Sequence, residues 1–228
     1  EGKAINIAFK YSGAADTKTT TIQLDNIHIA REVSETSTVV KEARAVVDND
    51  KSAWTVTLPS DIPDILVNED FEKGKDYDNV VLEGWCNSKV KGEKSWEYRS
   101  YQNNRYANIT AYNNGELETW LITPALVMQK EMVLNVDFEY RYLAGDVFTL
   151  MISTDFNGDP SSISSATWVD VTPDNLDKTN DKSFTSYSVD LASYIGQTIY
   201  VGFRYIGDNA TGLTTTCQID NVYVGIPK

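Results

Sequence analysis

Carboxylates near both ends of the segment 64–228 are the side chains best suited to hold a metal ion. Asp70 and Glu72 are two residues apart in a predicted strand, so their side chains share one face of it. Asp220 lies in the last predicted strand, in phase with Val222, on the face otherwise assigned to the core. A buried carboxylate is costly unless backbone donors, an arginine or a metal ion satisfies it.

These three acids meet if the first and last strands of a sandwich are neighbours, as sandwich topology suggests. Hard oxygen ligands in excess, completed by backbone carbonyls, are what Ca²⁺ requires. Asp70, Glu72 and Asp220 are therefore the predicted ligands of a structural Ca²⁺ ion. The alternative is that Asp220 accepts hydrogen bonds from a neighbouring turn while Asp70 and Glu72 are solvated.

A second candidate calcium loop contains Asp155, Asn157 and Asp159 in the order Asp-Phe-Asn-Gly-Asp. It resembles the opening of an Asp-x-Asn-x-Asp calcium loop, but it lacks the glycine and the bidentate glutamate expected later. An aspartate followed by Asn-Gly is also ordinary turn chemistry. Both interpretations stay open.

Aromatic residues cluster between residues 96 and 112, where they could bind a sugar. Flat rings stack on the apolar face of pyranoses, while amides and carboxylates bind hydroxyl groups. The candidates are Trp96, Tyr98, Tyr101, Tyr106 and Tyr112, with Asn103, Asn104 and Arg105 beside them. The alternative is that rings of this cluster belong to the core, since strand alternation places Trp96 and Tyr98 on one face.

Catalytic constellations are weak in this sequence. His28 is the only histidine and lies outside the segment 64–228, which excludes Ser-His-Asp, Cys-His and histidine-based zinc sites there. Two carboxylate pairs could hydrolyse glycosides, and they are Glu116 with Glu118 and Asp137 with Glu139. Neither forms the Glu-x-Asp-x-x-Glu run of jelly-roll glucanases, and we expect no enzyme activity.

The balance of charges limits the partners. Among 228 residues, 33 are acidic and 20 are basic, which gives a net charge of −13. This charge repels phosphate backbones, so nucleic acid is not an expected partner. Cys86 and Cys217 are too few for a disulfide scaffold, and we favour free thiols over a bridge. No apolar run has the length of a membrane span, so we expect any membrane link to be an anchor outside this chain.

Short strand-like runs, separated by Gly, Asn, Asp and Pro, fill the segment after residue 63. Branched and aromatic residues suit a pleated surface, and the even spacing favours an antiparallel two-sheet sandwich. The predicted strands cover residues 66–72, 95–101, 106–112, 120–124, 132–142, 148–154, 168–171, 184–191, 198–205 and 215–224. We therefore predict an all-β fold.

The beginning of the chain resembles its end. Ile5–Gly13 matches Ile199–Gly207, and Thr19–Ile29 matches Thr214–Val224. Such self-similarity at a nearly fixed offset indicates a repeat. Residues 1–30 are therefore predicted to be the C-terminal hairpin of a truncated preceding repeat. Residues 31–63 are predicted to be a linker with a short helix or strand, and residues 64–228 a complete sandwich.

Several motifs, taken in chain order, resemble the choice-of-anchor J or cleaved-adhesin type of module. They are Glu69-Asp70-Phe71-Glu72, Gly84-Trp85, Trp120-Leu121-Ile122-Thr123-Pro124, Ile152-Ser153-Thr154-Asp155, Val201-Gly202-Phe203-Arg204-Tyr205 and Ile219-Asp220-Asn221-Val222. The resemblance covers about residues 64–228, with residues 1–30 as a second copy. This group is similar to the adhesin domains of gingipains and, more distantly, to MAM domains.

The resemblance implies a jelly-roll β-sandwich on exported, often cell-surface lipoproteins of gram-negative bacteria. It also implies adhesion or glycan and protein binding, commonly with structural calcium, and no catalytic apparatus. The expected function is therefore a non-catalytic extracytoplasmic module, at the cell surface or outer membrane or secreted, that binds a surface glycan or protein. The alternatives are a structural spacer of a surface lipoprotein and an accessory domain or glycoside hydrolase.

Overall fold

The structure is a computed structural model that describes residues 63–179 and 183–227. Within these ranges, twelve strands are joined by turns and by two short 3₁₀ segments, Pro160–Ser162 and Ala192–Tyr194. The strands are β1 (Ile65–Glu69), β2 (Cys86–Lys91), β3 (Glu97–Tyr101), β4 (Asn104–Ile109), β5 (Glu116–Ile122), β6 (Leu126–Val127), β7 (Val133–Arg141), β8 (Phe148–Ser153), β9 (Val169–Asp170), β10 (Thr185–Asp190), β11 (Thr198–Asp208) and β12 (Thr216–Gly225). The predicted repeat remnant and the linker up to residue 62 lie outside the described residues.

The described strands form two antiparallel sheets. The front sheet has the order β10-β7-β12-β4-β3, and β1 also pairs with β12. The back sheet has the order β2-β5-β11-β8-β9, and β6 also pairs with β11. The fold is therefore an all-β, jelly-roll-like antiparallel sandwich, which confirms the predicted fold class.

The main core lies between the two sheets and is rich in aromatic rings. Phe71, Trp96, Phe203 and Tyr205 are fully buried there. Complete burial of one large apolar side chain contributes about 1.5–3 kcal/mol to folding. The hydroxyl of Tyr205 accepts a hydrogen bond from the Ala111 backbone N–H (2.8 Å) and donates one to the Thr215 carbonyl (2.9 Å), so the polar end of this buried ring is satisfied.

A tight hairpin joins β3 to β4. Tyr101 pairs with Asn104, and the two residues between them, Gln102 and Asn103, have φ angles of 50° and 66°. A two-residue turn with both φ angles positive matches the twist of antiparallel strands. The hairpin therefore keeps β3 and β4 paired up to Tyr101 and Asn104.

A β-bulge interrupts β12 at Asn221. The register with β7 shifts between Asp220 and Tyr223, and Asn221 has a φ angle of 48°. Because the extra residue resets the alternation, Ile219 and Val222 both belong to the core while Asp220 lies on the outer face of the front sheet. The expectation that Asp220 shares a face with Val222 is therefore wrong.

Several strands differ from the sequence prediction: β5 begins at Glu116 rather than at residue 120, and the two-residue strand β6 was not predicted. β1 ends at Glu69 rather than at residue 72, because Phe71 has a φ angle of 54° and turns the chain. β2 was not predicted, because its sequence Cys-Asn-Ser-Lys-Val-Lys carries few β-branched or aromatic residues. This polar strand lies at the edge of the back sheet, where it pairs with β5.

The outer face of the back sheet is covered by the loop of residues 154–168. Trp120, Phe156 and Ile163 form a second, smaller hydrophobic cluster under this loop. The ring of Trp168 lies 4.6 Å from that of Trp120 and 5.4 Å from that of Phe156, measured between centroids. The loop thus turns this face into a small second core.

Both cysteines are free thiols, Cys217 in the core and Cys86 half-buried. Burial raises the pKa of each thiol. Among the helical segments of the described residues, none is long and apolar enough to cross a membrane.

Candidate ligand-binding cleft

An open cleft with a volume of about 820 Å³ lies on the outer face of the front sheet. We call it the tyrosine cleft. Polar and aromatic side chains from β3, β4, β7, β12 and the adjoining turns line it. They are Asp76, Tyr77, Arg99, Ser100, Tyr101, Tyr106, Asn108, Thr110, Tyr112, Arg141, Tyr142, Thr214, Thr216 and Gln218.

The floor of the tyrosine cleft is polar and preorganised. Tyr106 and Asn108 on β4 alternate with core residues, and so do Thr216 and Gln218 on β12. Gln218 Nε2 donates a hydrogen bond to Asn108 Oδ1 over 3.1 Å, which fixes both amides. Fixed amide groups on a floor can bind the hydroxyl groups of a ligand without first losing side-chain freedom.

Four tyrosines surround the floor with exposed rings. Tyr77, Tyr101, Tyr112 and Tyr142 have relative exposures of 71%, 61%, 63% and 75%. A single exposed apolar ring is ordinary, but several around one cleft indicate an interaction surface. The cleft therefore offers several flat surfaces on which a ligand could stack.

Two of these tyrosines have an unfavourable backbone conformation. The φ angle is 71° at Tyr77 and 52° at Tyr142, in the left-handed region that bulky residues rarely adopt. Such a conformation costs about 1–2 kcal/mol per residue, and strained residues cluster at functional sites. Glycine would relieve this strain, so folding alone does not explain a tyrosine at either position.

An arginine stands beside each strained tyrosine. The guanidinium carbon of Arg99 lies 3.9 Å from the ring centroid of Tyr77, and that of Arg141 lies 5.6 Å from the centroid of Tyr142. Arg99 Nε also pairs with Glu97 (3.2 Å). Arg141 Nε pairs with Glu139 Oε1 in the same way, over 3.5 Å. Each guanidinium is thus held between a glutamate and an aromatic ring.

Asp76 is the one acidic residue among the described residues that line the cleft. Its carboxylate accepts hydrogen bonds from Ser100 Oγ (2.7 Å) and Arg105 Nε (3.4 Å). The hydrogen bond from Ser100, with further help from Arg105, holds the pKa of Asp76 below its usual range. This carboxylate is therefore ionised and engaged at neutral pH.

The aromatic residues predicted to bind sugar separate into two groups. Tyr101, Tyr106 and Tyr112 line the tyrosine cleft, whereas Trp96 and Tyr98 are buried in the core between the sheets. The physical reason is the alternation of β3, which turns Tyr98 inward and Tyr101 outward across the twisted edge. Trp96 and Tyr98 instead serve the core, as the alternative interpretation held.

The polar neighbours predicted beside these rings have other tasks. Asn103 occupies the hairpin turn, and Asn104 Nδ2 donates a hydrogen bond to Asp220 Oδ2 over 2.9 Å. Arg105 donates from its backbone N–H to Glu72 Oε1 (2.8 Å) and from Nη1 to the Glu72 carbonyl (3.0 Å). These side chains support the edge of the sheet beside the cleft.

The three predicted calcium ligands are not grouped. Among residues 63–179 and 183–227, no three acidic, cysteine or histidine side chains lie close enough to share a metal ion. Asp70 Oδ1 caps the turn at Phe71 by accepting a hydrogen bond from the Glu72 N–H, while Glu72 faces Arg105. As placed here, Asp70, Glu72 and Asp220 do not form a three-carboxylate calcium site, and Ca²⁺ stays a prediction from the sequence.

Asp220 is buried and is satisfied by protein donors. Its Oδ1 accepts a hydrogen bond from the Asn221 N–H at the bulge (2.7 Å), and its Oδ2 accepts the one from Asn104. Burial raises the pKa of Asp220 to about 6, and the nearby carboxylates of Asp137 and Glu72 act in the same direction. Asp220 is thus a buried acid with a raised pKa, two residues from Gln218 on the cleft floor.

The Asp155–Asp159 segment shows turn chemistry. Asp155 Oδ1 accepts hydrogen bonds from Ser153 Oγ and the Thr167 N–H, both at 2.8 Å. Asn157 Oδ1 accepts from the Asp159 N–H, and Asp159 Oδ1 accepts from the Ser161 N–H, again at 2.8 Å each. The hydrogen bonds from Thr167 and Ser161 lower the pKa of Asp155 and Asp159 respectively. These residues shape the loop that covers the back sheet.

The sequence predicted three of the residues that line the cleft, Tyr101, Tyr106 and Tyr112, and missed the others. Tyr77, Arg99, Arg141 and Tyr142 were not singled out, because strand pairing brings them together from distant parts of the chain. The available signal was the pairing of Arg99 and Arg141 with glutamates two residues earlier in the same strand, at Glu97 and Glu139. This spacing places both members of a pair on one face.

Several solved structures of bacterial adhesin and carbohydrate-binding domains are similar to this chain. The chain is 19% identical to the K3 cleaved adhesin domain of Lys-gingipain from Porphyromonas gingivalis W83, over 72% of this chain and 99% of that one, with a TM-score of 0.49. The K1 domain of the same protein gives 19% identity, 71% and 98% coverage and a TM-score of 0.48. A family 11 carbohydrate-binding module from Clostridium thermocellum, in complex with a β-1,3-1,4-mixed-linked tetrasaccharide, gives 12% identity, 70% and 96% coverage and a TM-score of 0.41.

A search of curated proteins found no match. The predicted membership of the choice-of-anchor J group stays a prediction. Residues 101–224, more than half of the chain, match the family described as a domain of unknown function, DUF5017. The chain belongs to the DUF5017 family.

Proposed function

We propose that this chain is a non-catalytic carbohydrate-binding module and that its ligand lies in the tyrosine cleft. The observation that carries the proposal is the ring of four exposed tyrosines around a polar floor. We further propose that the module is exported and acts outside the cytoplasm, on a glycan at the cell surface or in the surroundings. A spacer domain would not need these exposed rings.

The chemistry of the cleft suits a chain of sugar residues. Tyr77, Tyr101, Tyr112 and Tyr142 offer faces for the apolar side of a pyranose, and the Asn108 and Gln218 amides offer donors and acceptors to hydroxyl groups. The volume of about 820 Å³ lies in the range of small-molecule sites and leaves room for an oligosaccharide.

The distribution of carboxylates supports binding rather than hydrolysis. Glycoside hydrolysis commonly uses two carboxyl groups that face each other across the scissile bond. Among the described residues that line the cleft, Asp76 is the one acid, and Ser100 and Arg105 occupy its oxygens. Glu116 and Glu118 pair instead with Lys91 and Arg204, away from the cleft.

The strained tyrosines allow a test that separates binding from folding. Tyr142→Gly should relieve backbone strain and keep the melting temperature unchanged or slightly raised, while it weakens binding to a glycan found by array screening. Isothermal titration calorimetry with that glycan measures the loss. Val169→Ala is the control, because Val169 is 52% exposed but lies on the back sheet.

Two results would contradict the proposal. One is a Tyr142→Gly variant that binds the glycan as tightly as the unmodified protein. The other is the failure of neutral and acidic glycan panels alike to bind the folded protein.

A further inference from the structure

The charges of the tyrosine cleft differ in sign from those of the whole chain. The chain has a net charge of −13, yet two of the three charged side chains that line the cleft are arginines, Arg99 and Arg141. The third, Asp76, is already paired with Arg105 over 3.4 Å. An acidic protein repels anionic ligands at long range, so these arginines mark the place where an anion could be accepted.

Two cations share one glutamate at the wall that carries Arg99. Glu97 Oε1 is shared between Arg99 Nε (3.2 Å) and Lys94 Nζ (3.3 Å), so one carboxylate faces two cations. The Glu97 side chain is 13% exposed while that of Arg99 is 31% exposed. The anion of the pair is therefore the more deeply buried member, and the cation faces the solvent.

With respect to the described residues, each guanidinium is held through its Nε and its face, and one edge remains for a ligand. Arg99 and Arg141 use Nε for the pairs with their glutamates, and their faces lie near the rings of Tyr77 and Tyr142. The second edge of a guanidinium, formed by the two Nη atoms, matches a carboxylate or a sulfate in a bidentate manner. A side chain already fixed on two sides loses little freedom when it binds such a group.

The two arginines lie on opposite walls. β3 carries Arg99, β7 carries Arg141, and β4 and β12 lie between them. The register places Arg99 level with Asp137 on β7, four residues before Arg141. Three inter-strand spacings of about 4.8 Å and four residues along the strand separate the two backbones by about 19 Å. A ligand that engages both arginines must therefore span the cleft and carry more than one acidic group, as an oligosaccharide of acidic sugars does.

We infer that the tyrosine cleft selects acidic oligosaccharides, whose uronate or sulfate groups bind Arg99 and Arg141 while their rings stack on the tyrosines. This inference rests on the proposed function, since it names the class of glycan that the same cleft takes.

The test compares charged glycans with their own neutral forms. Oligogalacturonates are compared with their methyl esters, and chondroitin sulfate oligosaccharides with desulfated and carboxyl-reduced forms, by isothermal titration calorimetry. The charged forms should bind roughly tenfold tighter or more, because hydrogen bonds between charged groups are the strong ones. Preference for one pair identifies the carboxylate or the sulfate as the anion. The preference should also weaken at high salt.

Arginine variants provide the control within the protein. Arg99→Gln and Arg141→Gln should each remove most of the preference for the charged form. Arg204→Gln should keep it, although Arg204 also pairs with a glutamate, Glu118 (2.9 Å), and lies near an aromatic ring, Trp120 (5.3 Å). That trio lies on the back sheet, so it matches the cleft arginines in chemistry but not in position.

The possible outcomes separate the two proposals. The protein could bind charged and neutral glycans with equal affinity, with binding lost in Tyr142→Gly but kept in the arginine variants. This result overturns the inference and leaves the proposed function standing. No binding to any glycan overturns both. Binding of polyglutamate in competition with the acidic glycans would overturn the inference in favour of an acidic peptide ligand.

Discussion

The two sheets of this sandwich carry similar residues on their outer faces and use them differently. The back sheet presents Trp120 and Tyr200, with Arg204 and Glu118 beside them, and the loop 154–168, which carries Trp168, covers most of this face. The front sheet presents tyrosines, arginines and glutamates over β3, β4, β12 and β7, and a cleft stays open above them.

This difference shows that residue type alone does not separate a core from a binding surface. Phe156 reaches back from the loop and packs against Trp168 and Tyr200, with centroids 5.4 Å and 4.9 Å apart. Three of the four cleft tyrosines lie on turns, and the fourth, Tyr101, ends β3 beside a hairpin turn. Tyr77 and Tyr142 have strained backbone angles. An aromatic residue on an outer face is buried where a loop of the chain packs over it. It stays exposed to a ligand where no loop covers it.

The largest expected loss of stability is for a substitution on the outer face of the back sheet, which the loop 154–168 covers. Phe156→Ala should lower the free energy of unfolding by about 3–5 kcal/mol, because it removes a buried ring and leaves a cavity. Urea denaturation measures this loss. The affinity of the folded protein for a glycan should not change, since the cleft lies on the other sheet. A loss below about 1 kcal/mol would show that the loop does not act as a cover.

A smaller loss of stability is expected when one acidic residue is removed from the outer face of each sheet. Asp220→Ala leaves the Asn104 amide and the Asn221 N–H without their acceptor, which should cost about 2 kcal/mol. Asp159→Ala removes only an exposed cap on Pro160–Ser162, so its melting temperature should fall much less. Equal melting temperatures for the two variants would contradict this.

The same melting experiment, repeated with calcium and with chelator, tests the predicted metal ion. A ligand that binds the folded state raises stability by mass action. If Ca²⁺ binds at Asp220, it should raise the melting temperature of the unmodified protein and of Asp159→Ala, but not that of Asp220→Ala. A response of Asp159→Ala equal to that of Asp220→Ala would argue against a calcium site at Asp220.

The two faces should also respond to pH with opposite signs. Burial raises the pKa of Asp220 from 3.8 to about 6, so in this range the native state binds a proton that the unfolded state does not. The resulting stability is complete below about pH 4 and is lost as the pH rises through about 6, by roughly 2–3 kcal/mol in total. Asp220→Asn should remove this loss of stability. Chemical denaturation at several pH values between 4 and 7 measures it.

Asp155 provides the contrast on the covered face. The hydrogen bond from the Thr167 side chain is the largest cause that lowers its pKa, so its contribution to stability is present above the usual aspartate pKa and is lost as the pH falls. Asp155→Asn should therefore leave the loss between pH 4 and pH 7 unchanged. An identical pH profile for Asp155→Asn and Asp220→Asn would contradict the assignment.

The smallest stability change is expected in the open cleft. Tyr112→Ala should change the free energy of unfolding by no more than about 0.5 kcal/mol, because Tyr112 is 63% exposed. It should weaken glycan binding several-fold, as loss of a stacking partner does. A large loss of stability with unchanged binding would show that this ring supports the fold rather than the ligand.

The sequence predicted the fold better than the site. Alternation identified β7, β10 and β11 almost in full, because each buries one face between the sheets. Tyr101, Tyr106 and Tyr112 were found because they cluster along the chain. Arg99 and Arg141 were not, because only the pairing order β7-β12-β4-β3 places them on opposite walls of one cleft.

Local backbone conformation accounts for the remaining differences. The positive φ angle at Phe71 separates Asp70 from Glu72, and the one at Asn221 turns Asp220 to the outer face. Asparagine tolerates a positive φ angle better than most residues, but a phenylalanine rarely adopts one, so the residue type at position 71 gave no signal of the turn. The three carboxylates of the predicted site therefore do not meet at one point, although Glu72 remains near Asp220.

The bulge at Asn221 divides β12 into two halves with different tasks. The first half pairs with β4 and supplies Thr216 and Gln218 to the cleft floor, while the second half pairs with β1 and closes the sheet. Removal of one residue at the bulge would exchange inside and outside for one half, so that either Cys217 and Ile219 or Val222 and Val224 would face the solvent. The core therefore fixes the length of β12 around residue 221, whereas side-chain substitutions on the cleft floor and rim leave that length unchanged.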